Sequence, residues 1–422
     1  MASLNLNKQL KEQFVSNLTG SSFTKIFVLL AIVPTSTLLR QAFNSYRSID
    51  EASSKKKEND ELVLASKKFW AYIATIVVDF FFIVVPMLLF FTILSDWAYL
   101  GWFLLLLVFF SLTGKRIFPR ENAKTETYGT SVMDLGVGSF VVANAIVSRQ
   151  ARNALSINWK TALKTTSPLI LLGFVRLLTT TGVDYQVHVG EYGVHWNFFF
   201  TLAGVSVLTS ITNVPPKYCG ILGSLVLIGY QSWLNCGLNA YLLSNERGTD
   251  IISKNKEGIF SLFGYWALYL VGVQLSRYLF FQNGSHSTRR SNNMTFVKVW
   301  LVALLLWILT LLVDRHIERV SRRMCNLAYV TWVLSLNLQL VGGFMISQYF
   351  PVCRITALEE AFNSNLLASF LLANLFTGLV NVSVDTLSAS SISSILILFM
   401  YSFTLSMIIG IAHFCGIRLK FW

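Results

Sequence analysis

The sequence predicts an all-α protein, a polytopic transmembrane helix bundle of about twelve spans, and three observations predict it. Apolar residues make up 54% of the 422 residues and charged residues 13%, where a soluble domain carries roughly 25% charged residues. The mean hydropathy is +0.57. Apolar runs long enough to cross a hydrocarbon core of ~30 Å recur along the whole chain, and Lys and Arg collect in the short stretches between them. No linker, repeat or low-complexity tract marks a boundary, so residues 1–422 read as one integral-membrane domain. The net charge of +13 fits cytoplasmic loops enriched in basic residues. It does not call for nucleic acid, because no soluble basic domain exists to bind it. The five cysteines, Cys219, Cys236, Cys325, Cys353 and Cys415, show no CxxC spacing. They read as packing residues, not as a disulfide framework or a metal site.

Residues 1–21 are polar and contain Asn17-Leu18-Thr19, a glycosylation acceptor, without the pattern of a cleaved signal peptide. Twelve apolar runs follow: Phe23–Leu39, Phe69–Leu94, Trp97–Leu112, Tyr128–Ser148, Leu163–Thr180, Trp196–Ile211, Cys219–Leu238, Gly258–Phe281, Val297–Val313, Cys325–Ser347, Leu366–Val384 and Ile395–Phe414. The first loop holds Lys55, Lys56, Lys57, Lys67 and Lys68, which predicts a cytoplasmic loop and an N-terminus on the opposite side. Arg418 and Lys420 predict a cytoplasmic C-terminus and loosely match a dibasic retrieval signal; a basic lipid anchor is the other reading. Ends on opposite sides require an odd number of spans, so with twelve either one span is miscounted or one is missing.

Polar groups inside spans are costly and therefore candidates for function. Asp79 and Arg176 each sit within an apolar run. Asp134 sits in Ser131-Val-Met-Asp134-Leu-Gly136-Val-Gly138-Ser139, whose small residues allow close approach. Asn374, Thr377, Gly378, Asn381 and Asp385 recur at helical spacing and predict one shared face, for interhelical hydrogen bonds or for a ligand. His188, Glu191 and His195 are spaced i, i+3, i+7 and would line one face of a helix. That spacing lacks the close His pair of a zinc site, so a hydrogen-bond or proton relay is the alternative. Asn255-Lys256-Glu257-Gly258 opens a span. Arg322 and Arg323 precede another, where guanidinium pairs suit phosphate or lipid headgroups.

Several of these stretches resemble the inositol acyltransferases of GPI-anchor synthesis, the PIG-W family. They are Phe118-Pro-Arg-Glu-Asn-Ala-Lys124 through Phe140, Tyr185 through Glu191-Tyr-Gly-Val-His195-Trp-Asn197-Phe-Phe, and Asn255-Lys-Glu257-Gly through Tyr265. Val320-Ser-Arg-Arg323-Met-Cys-Asn326-Leu, Leu372-Ala-Asn374 through Asn381, the N-terminal Phe14-Val-Ser-Asn17-Leu-Thr-Gly-Ser-Ser22 and the terminal Phe421-Trp422 complete the set. The resemblance implies a multi-pass enzyme of the endoplasmic reticulum membrane. It would move a fatty acyl group, usually palmitoyl, from acyl-CoA to the inositol of glucosaminyl-phosphatidylinositol, with acyl-CoA as co-substrate and no metal or other cofactor. Lys124 would be catalytic. Asp134, Glu191, His195, Asn197, Glu257, Arg322, Arg323, Asn374 and Asn381 would shape the substrate site.

The family pattern places an Asp ten residues before that Lys; here the position holds Gly114, and Glu121 replaces an Arg. A further loop and a whole span of the family are absent before Phe118. The expectation is an internal deletion that supplies the missing span of the parity count and leaves this form inactive. His195 is a possible substitute base, because imidazoles exchange protons near neutral pH. The alternatives are a lipid or solute transporter using Asp79, Arg176 and Asn381, and a non-catalytic relative kept for partner binding.

Overall fold

The computed structural model describes residues 18–51, 61–92, 120–153, 159–181, 189–281, 289–349, 355–384 and 389–418. Among these residues the protein is helical, with a single isolated bridge between Gly20 and Thr130 and no named strand. Eight helices are long and apolar enough to cross a membrane: Phe23–Gln41, Lys67–Phe91, Pro216–Leu243, Lys256–Phe281, Asn292–His316, Leu327–Tyr349, Leu366–Ser383 and Ile392–Phe414. Leu135–Val147, Thr166–Thr179 and Phe198–Thr212 are shorter apolar helices. Eleven of the twelve expected runs thus coincide with helices; Trp97–Leu112 lies outside the described residues.

The fourth run is shorter than expected. It becomes helical only at Leu135, because Gly129 takes a φ of +126° and residues 131–134 form a turn. Asp134 therefore stands at the start of this helix, not in mid-span. A short amphipathic helix, Ala357–Ser364, was not expected; a reciprocal capping box between Thr356 and Glu359 opens it.

The described residues group into two compact units that interleave along the chain. One is drawn from Met1–Ile26 and Arg120–Gly342, the other from Phe27–Pro119 and Gly343–Trp422. In the first, Pro216–Leu243 packs along Lys256–Phe281, which also contacts Leu135–Val147. Tyr265, Tyr329 and Trp332 are fully buried there, and Gly138 admits Tyr329 and Val333 at distances no Cβ would allow. Small residues serve this purpose in membrane bundles.

In the second unit, Phe80 stacks edge-on against Phe399 and Phe403, and Phe69 against Phe414. Asp79 precedes a π-helical turn at Phe80–Val84. Its carboxylate is fully buried, 2.7 Å from Arg40 Nε, and accepts a bond from Leu358 N at 3.0 Å.

A charged cluster at one end of the first unit

The helices of the first unit alternate in direction. Those starting at Leu135, Phe198, Lys256 and Leu327 begin at the same end, where Pro216–Leu243 and Arg289–His316 finish. The loop of residues 121–134 is fixed there from two sides. Ser21 N donates to Thr130 O, Thr130 Oγ1 to Ser21 O, and Lys25 pairs with Glu121. Gly129 N donates to Val320 O, and Ser321 Oγ to Thr127 O. Gly20 and Gly129 both have positive φ, and a Cβ on either would sit 2.1 Å from a carbonyl oxygen of the facing segment. Only glycine fits both requirements.

Four charged side chains form a continuous line at this end. Lys124 Nζ lies 2.7 Å from Glu191 Oε1, and Arg322 Nη1 lies 3.1 Å from the same oxygen. Arg322 Nε then lies 3.0 Å from Asp134 Oδ1. Asp134 also accepts from Thr125 N, Thr125 Oγ1 and Ser131 Oγ. Asp134 and Arg322 are buried, whereas Lys124 is 42% exposed, so the line runs from interior to surface. Burial pushes the Glu191 carboxyl up, but Arg322 and Lys124 together outweigh this and hold it at about 2. It is an ionised bridge between two cations.

A second network braces the first. Glu257 receives Arg247 at 2.6 Å and Arg323 at 2.9 Å, and Arg323 also donates to Leu242 O. Lys256, fully buried, donates to the carbonyls of Tyr241, Ser244 and Glu246. An ammonium there satisfies acceptors that the end of helix Asn239–Leu243 leaves open. Asn255 Oδ1 accepts from the backbone N–H groups of His195 and Trp196. Gly258 makes room for the Trp196 ring, which would lie 2.3 Å from a Cβ. Asn255 and Gly258 thus fasten the His195-Trp196 segment, Lys256 the segment 241–246, and Glu257 both Arg247 and Arg323.

The chain matches the GWT1 family model over residues 7–116 and again over 115–412. It belongs to the GWT1 family. It is 57% identical over 373 residues to an uncharacterized protein of Arabidopsis thaliana, covering 79% of this chain and 86% of that one. It is 35% identical over 353 residues to the phosphatidylinositol-glycan biosynthesis class W protein of Dictyostelium discoideum, covering 73% and 71%. It is 33% identical over 360 residues to the glucosaminyl-phosphatidylinositol-acyltransferase PIGW of Bos taurus, covering 72% and 70%.

In this GWT1-family chain the structure joins Lys124, Asp134, Glu191 and Arg322, with Glu257 and Arg323 in the bracing network. Both Arg322 and Arg323 turn inward onto carboxylates. Glu191 and His195 do not share a helix face: the helical turn Val189–Tyr192 ends at Gly193, whose φ is +109°. His195 is exposed in the bend that follows, and His188 lies outside the described residues. Among the described residues no three His, Cys, Asp or Glu side chains group as a metal site.

Asn197 caps helix Phe198–Thr212, accepting from Phe199 N and Phe200 N and donating to Gly173 O. Arg176, half-buried on helix Trp159–Thr181, also pulls the Glu191 carboxyl down. Asn374 and Asn381 belong to the second unit and are exposed on helix Leu366–Ser383, where Asn374 donates to Phe370 O of its own helix. Asp385 and Asn17 lie outside the described residues. Asp79, a candidate for a transport path, is committed to Arg40 and Leu358. Reasoning from sequence missed Arg247, Thr125 and Ser131. Arg247 carries no signal beyond a basic residue in a polar loop, while Thr125 and Ser131 flank Asp134 as short hydroxyl donors.

Proposed function

We propose that the chain is by descent a membrane O-acyltransferase of GPI-anchor biosynthesis in the endoplasmic reticulum. Its reaction would move a fatty acyl group, palmitoyl by resemblance, from acyl-CoA to an inositol hydroxyl of glucosaminyl-phosphatidylinositol. The inositol oxygen bonds to the thioester carbonyl, the carbon–sulfur bond breaks, and the hydroxyl proton passes through a base to the departing thiolate. The observation that carries this reading is the Lys124–Glu191–Arg322–Asp134 line, assembled from three of the stretches that bear the resemblance. Lys124, at its exposed end, would stabilise the oxyanion that forms on the carbonyl.

The same geometry supports an inactive form. Glu191, held near 2, is too weak a base to take a hydroxyl proton. Asp134 is enclosed by three hydrogen-bond donors and the Arg322 guanidinium, and Glu257 by two guanidinium groups. The family match breaks at residues 115–116. An alignment 373 positions long that takes up 79% of 422 residues, about 333, leaves about 40 positions of the Arabidopsis relative without a counterpart. That is enough for a loop and a span of ~20 residues. Parity agrees. Residues 18–22 and 121–130 bond to each other at one end of the first unit, yet three apolar runs separate them in sequence. An even number is needed to return to the same side. The seven residues 113–119 reach at most ~25 Å, short of a ~30 Å core.

The test is conversion of glucosaminyl-phosphatidylinositol to its acylated form in microsomes from cells lacking an inositol acyltransferase. The unmodified chain gives none, and Gly114→Asp alone does not rescue it. Inserting the relative's missing segment between Leu112 and Ile117 restores conversion, and Lys124→Ala in that repaired chain removes it by at least about 100-fold. Robust conversion by the unmodified chain would refute the deletion argument and direct attention to His195 as base.

A further inference from the structure

The opposite end of the first unit has a different chemistry. Gln150 Nε2 donates to Val214 O at 2.7 Å, and Ser276 Oγ to Ile146 O at 2.9 Å. These bonds tie the turn after helix Leu135–Val147 to the start of Pro216–Leu243 and the end of Lys256–Ser276. The sequence joining the helices at this end, residues 148–164, 212–218 and 276–298, contains nine Lys or Arg and no Asp or Glu. Of the ten acidic residues in residues 120–342, the nine that are described fall in the segments of the other end, and Asp184 lies outside the described residues.

With no carboxylate in these segments, cations here sit over rings: Arg152 over Phe281 at 5.8 Å, Lys217 over Tyr218 at 4.6 Å and Lys298 over Tyr278 at 5.3 Å. Arg149, Arg152 and Lys217 are exposed. Tyr218 and Tyr278, exposed where apolar helices end, mark the boundary between membrane and water. Behind Lys217 on the same helix, Ile221, Leu225 and Ile228 are 62%, 63% and 58% exposed. Their spacing of four, four and three places them in one line with Lys217.

We propose that this end binds an anionic phospholipid, the net negative charge of its headgroup met by Arg149, Arg152 and Lys217 and one acyl chain lying along Ile221, Leu225 and Ile228. The aliphatic line beneath the cations selects a lipid over free phosphate, because inorganic phosphate gains nothing from it. Basic pockets at helix ends recognise headgroups in this way, and segments that hold no Asp or Glu leave their cations available to one. The site is independent of catalysis.

The test uses the full chain in neutral detergent, with binding of phosphatidylserine, phosphatidylcholine of the same acyl chains, and inorganic phosphate measured by native mass spectrometry and thermal shift. Phosphatidylserine binds at least about 10-fold more tightly than phosphatidylcholine. At about fivefold per cation, Arg149→Gln with Arg152→Gln weakens it about 25-fold and leaves phosphatidylcholine unchanged. Arg315→Gln with Arg319→Gln, an equal charge loss at the other end, has no effect. Lys217→Gln alone, at an exposed position, repeats the loss at smaller size should the double variant be unstable. Equal binding of the two lipids, equal loss in both double variants, or displacement by millimolar phosphate would overturn the proposal.

Discussion

Both ends of the first unit are rich in Lys and Arg, and they handle them in opposite ways. At one end Arg322, Arg323, Arg247 and Lys256 each meet a carboxylate or a row of carbonyls and are mostly buried. At the other, Arg152, Lys217 and Lys298 rest over aromatic rings, and two of these three are exposed. A buried guanidinium between two carboxylates is expensive to disturb and fixes geometry. A cation over a ring at an interface is cheap to move and leaves its charge available. The first arrangement builds a rigid site and the second a receptive surface, from the same two residue types.

The comparison is broken most severely by removing Arg322. Arg322→Met leaves Asp134 and Glu191 without their shared cation. It is expected to cost about 3–5 kcal/mol of stability, read as chemical denaturation of the detergent-solubilised chain; a loss below about 1 kcal/mol would show that the pairs are not coupled. Asn255→Ala comes next. It strands the N–H groups of His195 and Trp196, at about 1–3 kcal/mol, and limited proteolysis should then open residues 193–197 before any other segment.

The pH dependence is smaller and has a fixed sign. The Glu191 carboxyl is depressed, so its contribution is complete above its ordinary value of 4.5 and is lost as pH falls toward 2. Lys124→Ala should raise that carboxyl and move the loss to higher pH. A melting temperature that falls identically in both chains from pH 5 to 3 would sever Lys124 from Glu191. The smallest effect is at the basic end, where Lys217→Gln should change lipid-free stability by less than about 0.5 kcal/mol.

The helices were legible because apolar length alone specifies a span, and eleven runs stand where expected. The segregation of acidic residues was also present in the sequence, but invisible until the structure showed which loops share an end. Lys124, Asp134, Glu191 and Arg322 could be named from their stretches, whereas their order along one line could not. Arg322 finds Glu191 across 131 positions and Arg323 finds Glu257 across 66, and no local periodicity encodes such distances. The helical reading of His188–His195 failed at a single residue, Gly193, whose positive φ turns the backbone out of the helix. Tyr128–Ser148 was read too long because Tyr128, Val132 and Met133 are apolar enough to mask the turn they belong to.

The contact between the segments of Gly20 and Gly129 also bears on the order in which the chain is made. Ser21 waits for a partner, Glu121, that lies 100 residues downstream. At about 5–20 residues per second of synthesis, the N-terminal segment spends about 5–20 s in the translocating chain before its docking site exists. Throughout that interval the bonds from residues 121–130 to the leading end of the first membrane helix have not formed. A ribosome that pauses before residue 120 would therefore lengthen the period in which the nascent chain's orientation can still be reversed.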